Sequence, residues 1–230
     1  MNEFMQDSAF AGVTISLLTY FLGMNLKKRF KSGLLNPLLI SIAVTIVVLL
    51  AANVDYETYN MGAKYLSWLL TPATVCLAIP LYEQFERLKK NWMAVMAGIV
   101  SGVITNMVTV LALAVLLGLN HQEYVTLLPK SITTAIGMGV SEELGGYVTI
   151  TVAVIVLTGV IGNMIGELVC RIFRIKEPIA KGLALGTAAH AMGTTKAMEM
   201  GEIEGAMSSL SIAVAGVLTV AGASVFAGFW

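Results

Sequence analysis

Charge is what this sequence has least of. Only 12% of its 230 residues are Asp, Glu, Lys or Arg, where a soluble domain carries roughly 25%. A water-facing surface is hard to build from so few, and with 57% hydrophobic residues the class is integral membrane protein. An excess of one sign is also missing. The formal net charge is zero, so no nucleic acid or other polyanion is implied as a partner. Cysteine and histidine are scarce, two of each. Cys76 and Cys170 fall in apolar segments and read as small buried hydrophobes, not as a disulfide or a metal site. The chain has no H-E-x-x-H, no G-x-S-x-G and no G-x-x-x-x-G-K-[ST], so neither metal, cofactor nor enzyme activity is expected. A secretory leader is not expected either. The first apolar run follows Glu3 and Asp7 and precedes Lys27, Lys28, Arg29 and Lys31, the reverse of a leader's charge order. No Arg-rich, acid-poor transit segment precedes it, which favours a bacterial plasma membrane over an organelle.

What is there is long apolar runs. A spanning helix needs about 20 predominantly apolar residues. Uncharged runs of that order cover residues 8–26, 32–54, 65–82, 91–122, 144–166 and 205–230, with weaker segments at 127–141 and 182–200. The expected fold is therefore all-α and polytopic, a single transmembrane domain over residues 1–230 with about seven spans. All Lys and Arg except Lys64, Lys130 and Lys196 lie in three clusters, 27–31, 87–90 and 171–181. If those loops are cytoplasmic, the N-terminus is outside, as are the loops holding Asp55, Glu57, His121 and Glu123. One span, 144–166, already joins the outer Asn120 to the inner Arg171. Residues 127–143 should then enter and leave on the outer side as a re-entrant loop. SGVITNM at 101–107 and TGVIGNM at 158–164 leave two readings open, chance or an inverted repeat of the kind that places a transporter's substrate at discontinuous helices.

Three segments hold chemistry that a lipid-facing helix has no use for. In the first, Pro72 and Pro80 share one expected span with Thr71 and Thr74. Interior prolines remove backbone donors, which predicts either a packing kink or an unwound centre that binds a ligand. In the second, Lys130, Ser131, Thr133 and Thr134 place a cation among hydroxyls. They suit an anionic substrate, or the lysine snorkels to the surface. The third is residues 182–205, with Gly186, Thr187, His190, Gly193, Thr194 and Thr195 at membrane depth by their neighbours. Such backbone is tolerated in a bilayer only where it is buried in protein or lines a cavity. A half-helix starting near Gly193 or Thr194 would offer free donors and the positive dipole end to an anion. His190 is either a proton relay or a hydrogen-bonded packing residue. Whether this stretch crosses the membrane decides on which side Trp230 lies.

The residues that stand out also carry a resemblance. LLNPLLI at 34–40, TPATVCLAIPLYEQ at 71–84, LLPKSITTAIGMGVSEELGG at 127–146 and AKGLALGTAAHAMGTTKAMEMGEIEGAMSSL at 180–210 resemble the LrgB/CidB family of bacterial membrane proteins, essentially end to end. Ala135 stands where that family often has proline, and Ala189 where it often has serine. The resemblance implies two competing roles. One is an antiholin-like or holin-associated control of murein hydrolase activity and lysis, together with a small LrgA/CidA-type membrane partner. The other is transport of a small monocarboxylate, pyruvate in bacterial relatives, glycolate and glycerate in plastid ones. The hydroxyls, lysine, histidine and broken helices suit a carboxylate, so transport is the expected function, with lysis control as the alternative. The implied surroundings are the lipid bilayer, the LrgA/CidA-type partner and further copies of the chain in a homo-oligomer of open size.

Overall fold

A computed structural model describes residues 10–30, 36–69, 72, 75–76 and 78–230. Every regular element among the described residues is an α-helix, which bears out the all-α expectation. In chain order these are α1 (Ala11–Phe30), α2 (Pro37–Ala51), α3 (Tyr56–Trp68), α4 (Ala78–Glu83), α5 (Phe85–Lys90), α6 (Trp92–Leu117), α7 (His121–Leu127), α8 (Thr134–Glu143), α9 (Val148–Ile172), α10 (Pro178–Met200) and α11 (Glu202–Ala227). Among the described residues three helices, α6, α9 and α11, are long and apolar enough to cross a membrane, while α2 is apolar but has 15 residues. The expected span at 65–82 is not one helix. Its first residues belong to α3, which starts at Tyr56 because the Asp55 carboxylate caps it by accepting from Thr58 N at 2.7 Å.

The chain forms two compact units, Met1–Cys76 and Leu77–Trp230. In the first, α1 packs against α2 and α3. Asn36 starts α2 by accepting from Leu38 N and Leu39 N, with Pro37 following as the first helical residue. Thr19 Oγ1 meets Ser41 Oγ at 2.9 Å and Thr45 Oγ1 at 3.0 Å. Apolar burial drives little association between helices in lipid, so hydroxyl contacts and close approach of small residues hold them. Gly12 and Gly23 serve the second purpose, since a Cβ on either would strike backbone of α3 or α2.

The second unit opens with the short α4 and α5 and continues as three long helices with two helical hairpins between them. On α6 a stripe of Val95, Ile99, Val103, Met107, Val110 and Ala114 is buried, the 3.6-residue spacing of one packed face. Opposite it stand Ala206, Met207, Ala215 and Ala223 of α11. The first hairpin is α7, a tight turn through Leu128–Ile132, and α8. Its two ends meet: Tyr147 N donates to Thr126 Oγ1 at 2.8 Å, and Thr151 Oγ1 donates to Thr126 O at 2.9 Å and stands 2.7 Å from Ser141 Oγ. Its turn reaches Asn106, whose amide lies 3.4 Å from Leu128 O. That is roughly 16 Å along α6 from Leu117.

The second hairpin lies inside α10. Ala189 (φ −134°, ψ 20°) and His190 (φ 43°, ψ −138°) are not helical, and the chain reverses there. As one straight helix, residues 182 and 204 would be about 33 Å apart, yet a Cβ on Gly182 would collide with Glu204 O. Likewise Gly193 sits against the carbonyl of Leu185. The outgoing half runs parallel to α11, Gly182 beside Glu204 and Gly186 beside Ser208. The returning half runs antiparallel to it, Thr194 beside Ser208 and Met198 beside Gly205. The expected restart near Gly193 or Thr194 is therefore corrected. The break falls at Ala189–His190, and Gly186 and Gly193 are positions of helix contact. Both hairpins approach Ile155 of α9: a Cβ on Gly137 of α8 would strike its side chain, and His190 bonds its carbonyl.

Candidate functional site

Why α10 turns back where it does follows from its neighbours. Gly159, Gly162 and Gly166 form a smooth strip on α9, facing His190, Ala189 and Leu185 in that order. The absence of side chains there lets the hairpin lie against the helix backbone. His190 is buried, and its Nε2 stands 2.9 Å from Ile155 O. The left-handed φ of His190 is uncommon for a residue with a side chain, and this contact holds it. Asn163 Nδ2 donates to Met192 O at 2.8 Å just beyond the turn. Thr194 Oγ1 lies 3.2 Å from His190 O and 2.7 Å from Ser208 Oγ. The turn is thus fixed from two sides by hydrogen bonds, and His190, Gly186, Gly193 and Thr194 are all consumed in fixing it.

The open space lies on the other side of the outgoing half. A cavity of about 740 Å³ runs between α6 and residues 177–188. Asn91 and Glu177 stand at one end, and Gly98, Ala184 and Leu183 give it an apolar wall. Asn106, Thr109, Lys130, Ser131 and Thr187 give it polar groups. Lys130 Nζ is 3.0 Å from Ser131 Oγ, and Ser131 Oγ donates to Asn106 Oδ1 at 3.2 Å. Among the described residues Lys130 makes no ion pair, whereas Lys196 has Glu167 at 2.8 Å and Glu199 at 3.5 Å. Thr187 Oγ1 is buried with no hydrogen-bond partner. A buried hydroxyl left unsatisfied costs about 1–3 kcal/mol, which a bound oxygen acceptor or donor would recover. An unpaired cation, two hydroxyls and an amide around one cavity are the groups that hold a small anion by charge and hydrogen bonds.

The expected site residues thus separate. Lys130, Ser131 and Thr187 line one cavity. Thr133 and Thr134 begin α8 away from it, Thr133 without a capping hydrogen bond. Thr195 is exposed and bonds Ala191 O. Pro72 is exposed, Pro80 lies in α4, and Thr71 and Thr74 lie outside the described residues. Sequence reasoning missed Ser101, Thr105, Asn106 and Thr109, which line the cavity from α6. Their signal was present, since hydroxyls at 101, 105 and 109 recur every four residues and share one face of an otherwise apolar helix.

The comparisons with known proteins agree on one family. The profile of the LrgB-like family matches residues 16–229. The protein named antiholin-like protein LrgB from Bacillus mycoides (strain KBAB4) is 43% identical over 210 residues, 91% of each chain. Those of the same name from Bacillus cereus (strain B4264) and Bacillus anthracis (strain CDC 684 / NRRL 3495) are 42% identical over 91% of each. No solved structure matches. With its membrane composition, its three long apolar helices and this end-to-end similarity, the chain belongs to the LrgB-like family.

Proposed function

We propose that this chain is an antiholin-like protein of a bacterial plasma membrane, restraining murein hydrolase activity and lysis together with a small LrgA/CidA-type membrane protein. The observation that carries this is the name shared by relatives at 42–43% identity over 91% of the chain, antiholin-like protein LrgB. In the membrane, α6, α9 and α11 span and the two hairpins are re-entrant from opposite faces. The basic residues 171–181 lie inside by the positive-inside rule, and the N-terminus lies outside. The test is deletion in the host and complementation, with and without the small partner, reading autolysis rate and murein hydrolase activity. Deletion should speed autolysis, and complementation should restore the slower rate. Unchanged lysis in the deletion strain sinks this reading.

A second reading, transport of a small monocarboxylate, is favoured by one specific feature, the cavity that joins unpaired Lys130 to the unsatisfied hydroxyl of Thr187. A lysine at membrane depth costs about 2.5–3.5 kcal/mol on insertion scales, and a carboxylate beside it offsets that. In liposomes, with and without the small partner, the chain should take up pyruvate, lactate, glycolate or glycerate saturably, and Lys130→Ala should abolish uptake. Absence of uptake by the intact chain with its partner rejects transport and leaves the regulator reading standing.

A further inference from the structure

A second cavity, of about 580 Å³, opens where α9 ends and the α10 hairpin begins and closes. It is independent of the Lys130 site and of either functional reading. Arg171, Arg174, Lys176, Lys181 and Lys196 line it, against the carboxylates Glu167, Glu199 and Glu204. The pairs are Lys196 with Glu167 at 2.8 Å and with Glu199 at 3.5 Å, Arg171 with Glu167 at 3.6 Å, and Lys181 with Glu204 at 3.9 Å. Arg174 and Lys176 enter no ion pair among the described residues. Five cations against three carboxylates leave an excess of two positive charges in the concavity. The backbone places them there. Arg174 takes a left-handed φ of 54° as α9 ends, and Ile175 N closes the turn on Cys170 O at 2.8 Å. The same end of α9 also carries exposed apolar side chains, Leu168, Ile172 and Phe173, outside the pocket lining. A cationic concavity adjoining an exposed apolar helix end is complementary to an amphiphile with an anionic head. Pockets of this kind on the inner side of a bilayer hold phosphate headgroups, each basic side chain being worth about 1 kcal/mol near the surface.

We propose that this pocket binds the phosphate headgroup of an anionic phospholipid, through Arg174 and Lys176, with the acyl chains lying on Leu168, Ile172 and Phe173. The test titrates the detergent-solubilised full chain with phosphatidylglycerol, phosphatidylcholine or inorganic phosphate, reading the thermal midpoint and the number of retained lipids by native mass spectrometry. Phosphatidylglycerol should bind saturably and raise the midpoint, and the other two should not. Arg174→Asn with Lys176→Gln should weaken it roughly ten- to thirtyfold. Asn is chosen because it tolerates the left-handed backbone. The charge-keeping pair Arg174→Lys with Lys176→Arg should retain binding. Equal binding of phosphatidylcholine, an equal shift from inorganic phosphate, or undiminished binding by the neutralised variant overturns the proposal. The wild-type comparison of lipids decides it even if a variant fails to fold.

Discussion

At the scale of single residues, the site is defined by groups left without partners. Thr187 is the clearest, because its hydroxyl is buried and unbonded while its methyl packs toward Gly102. Replacing it by valine keeps the shape and removes the unsatisfied oxygen. Thr187→Val should leave the ligand-free protein as stable or more stable, by up to about 1–2 kcal/mol. On the transport reading it should also weaken carboxylate binding, and thermal unfolding with and without ligand checks both halves. A loss of ligand-free stability would mean that the hydroxyl has a partner in the native state. Asp55 behaves in the opposite way. Its carboxyl lies below the ordinary aspartate range because Thr58 donates to it, from the backbone first and the side chain second. A carboxyl whose folded value is depressed stabilises the helix start above its unfolded value, near 3.9, and that contribution is lost as pH falls through the folded value. Hydrogen exchange at the Thr58 amide, corrected for intrinsic rates, should therefore accelerate below about pH 4. Asp55→Asn should flatten that dependence.

At the scale of elements, the hairpins rest on glycines used for contact, and they make opposite predictions. A Cβ on Gly193 would meet the Leu185 carbonyl, a backbone atom that cannot turn aside. Gly193→Val should force the two halves of α10 apart at a cost of about 1–3 kcal/mol or more. Gly139, in the middle of α8, has nothing within 4 Å of that position. Gly139→Ala should be neutral or stabilise by roughly 0.4–1 kcal/mol. Unfolding of the two variants side by side would separate contact from flexibility. The same elements show what the sequence made legible. Leu127–Glu143 read as a segment that returns to its own side because the charge rule left no room for another crossing, and the chain after α8 does come back beside Thr126 of α7. The reversal in α10 was half legible. Its glycines and polar groups marked 182–205 as a broken stretch and left open whether it crosses, but the break was expected near Gly193 or Thr194, and no proline or glycine marks the actual turn at Ala189 and His190. Their geometry is imposed from outside, by the glycine strip of α9 and the Ile155 carbonyl, and local sequence carries no trace of that. The cavity was half legible. Lys130, Ser131 and Thr187 stand out as polar groups in apolar runs, but Ser101, Thr105, Asn106 and Thr109 are scattered in a long span and converge only once it is helical.

At the scale of the molecule, the two reversals bear on how often the chain from α6 onward changes sides. On the topology proposed above neither hairpin adds a crossing, so α6, α9 and α11 are the three that remain, and the start of α6 and the end of α11 are expected on opposite faces. Contacts within this unit agree. Tyr124 OH donates to Phe226 O at 2.9 Å, Trp230 Nε1 donates to Leu119 O at 2.7 Å, and His121 Nδ1 contacts the Trp230 carbonyl. The end of α11 is therefore beside the loop after α6, while Lys181, Glu199 and Glu204 gather at the other end. In a membrane this predicts that a reporter fused after Trp230 and a cysteine placed at Gln122 respond from one face. A cysteine at Lys176 responds from the other, and the basic cluster around it makes that the inner face. Impermeant thiol labelling of whole cells against permeabilised ones reads all three positions. Labelling of the Lys176 and Gln122 sites from the same face would mean that one hairpin crosses after all. The cavity between Lys130 and Thr187 would then have to be rebuilt from a different pairing of helices.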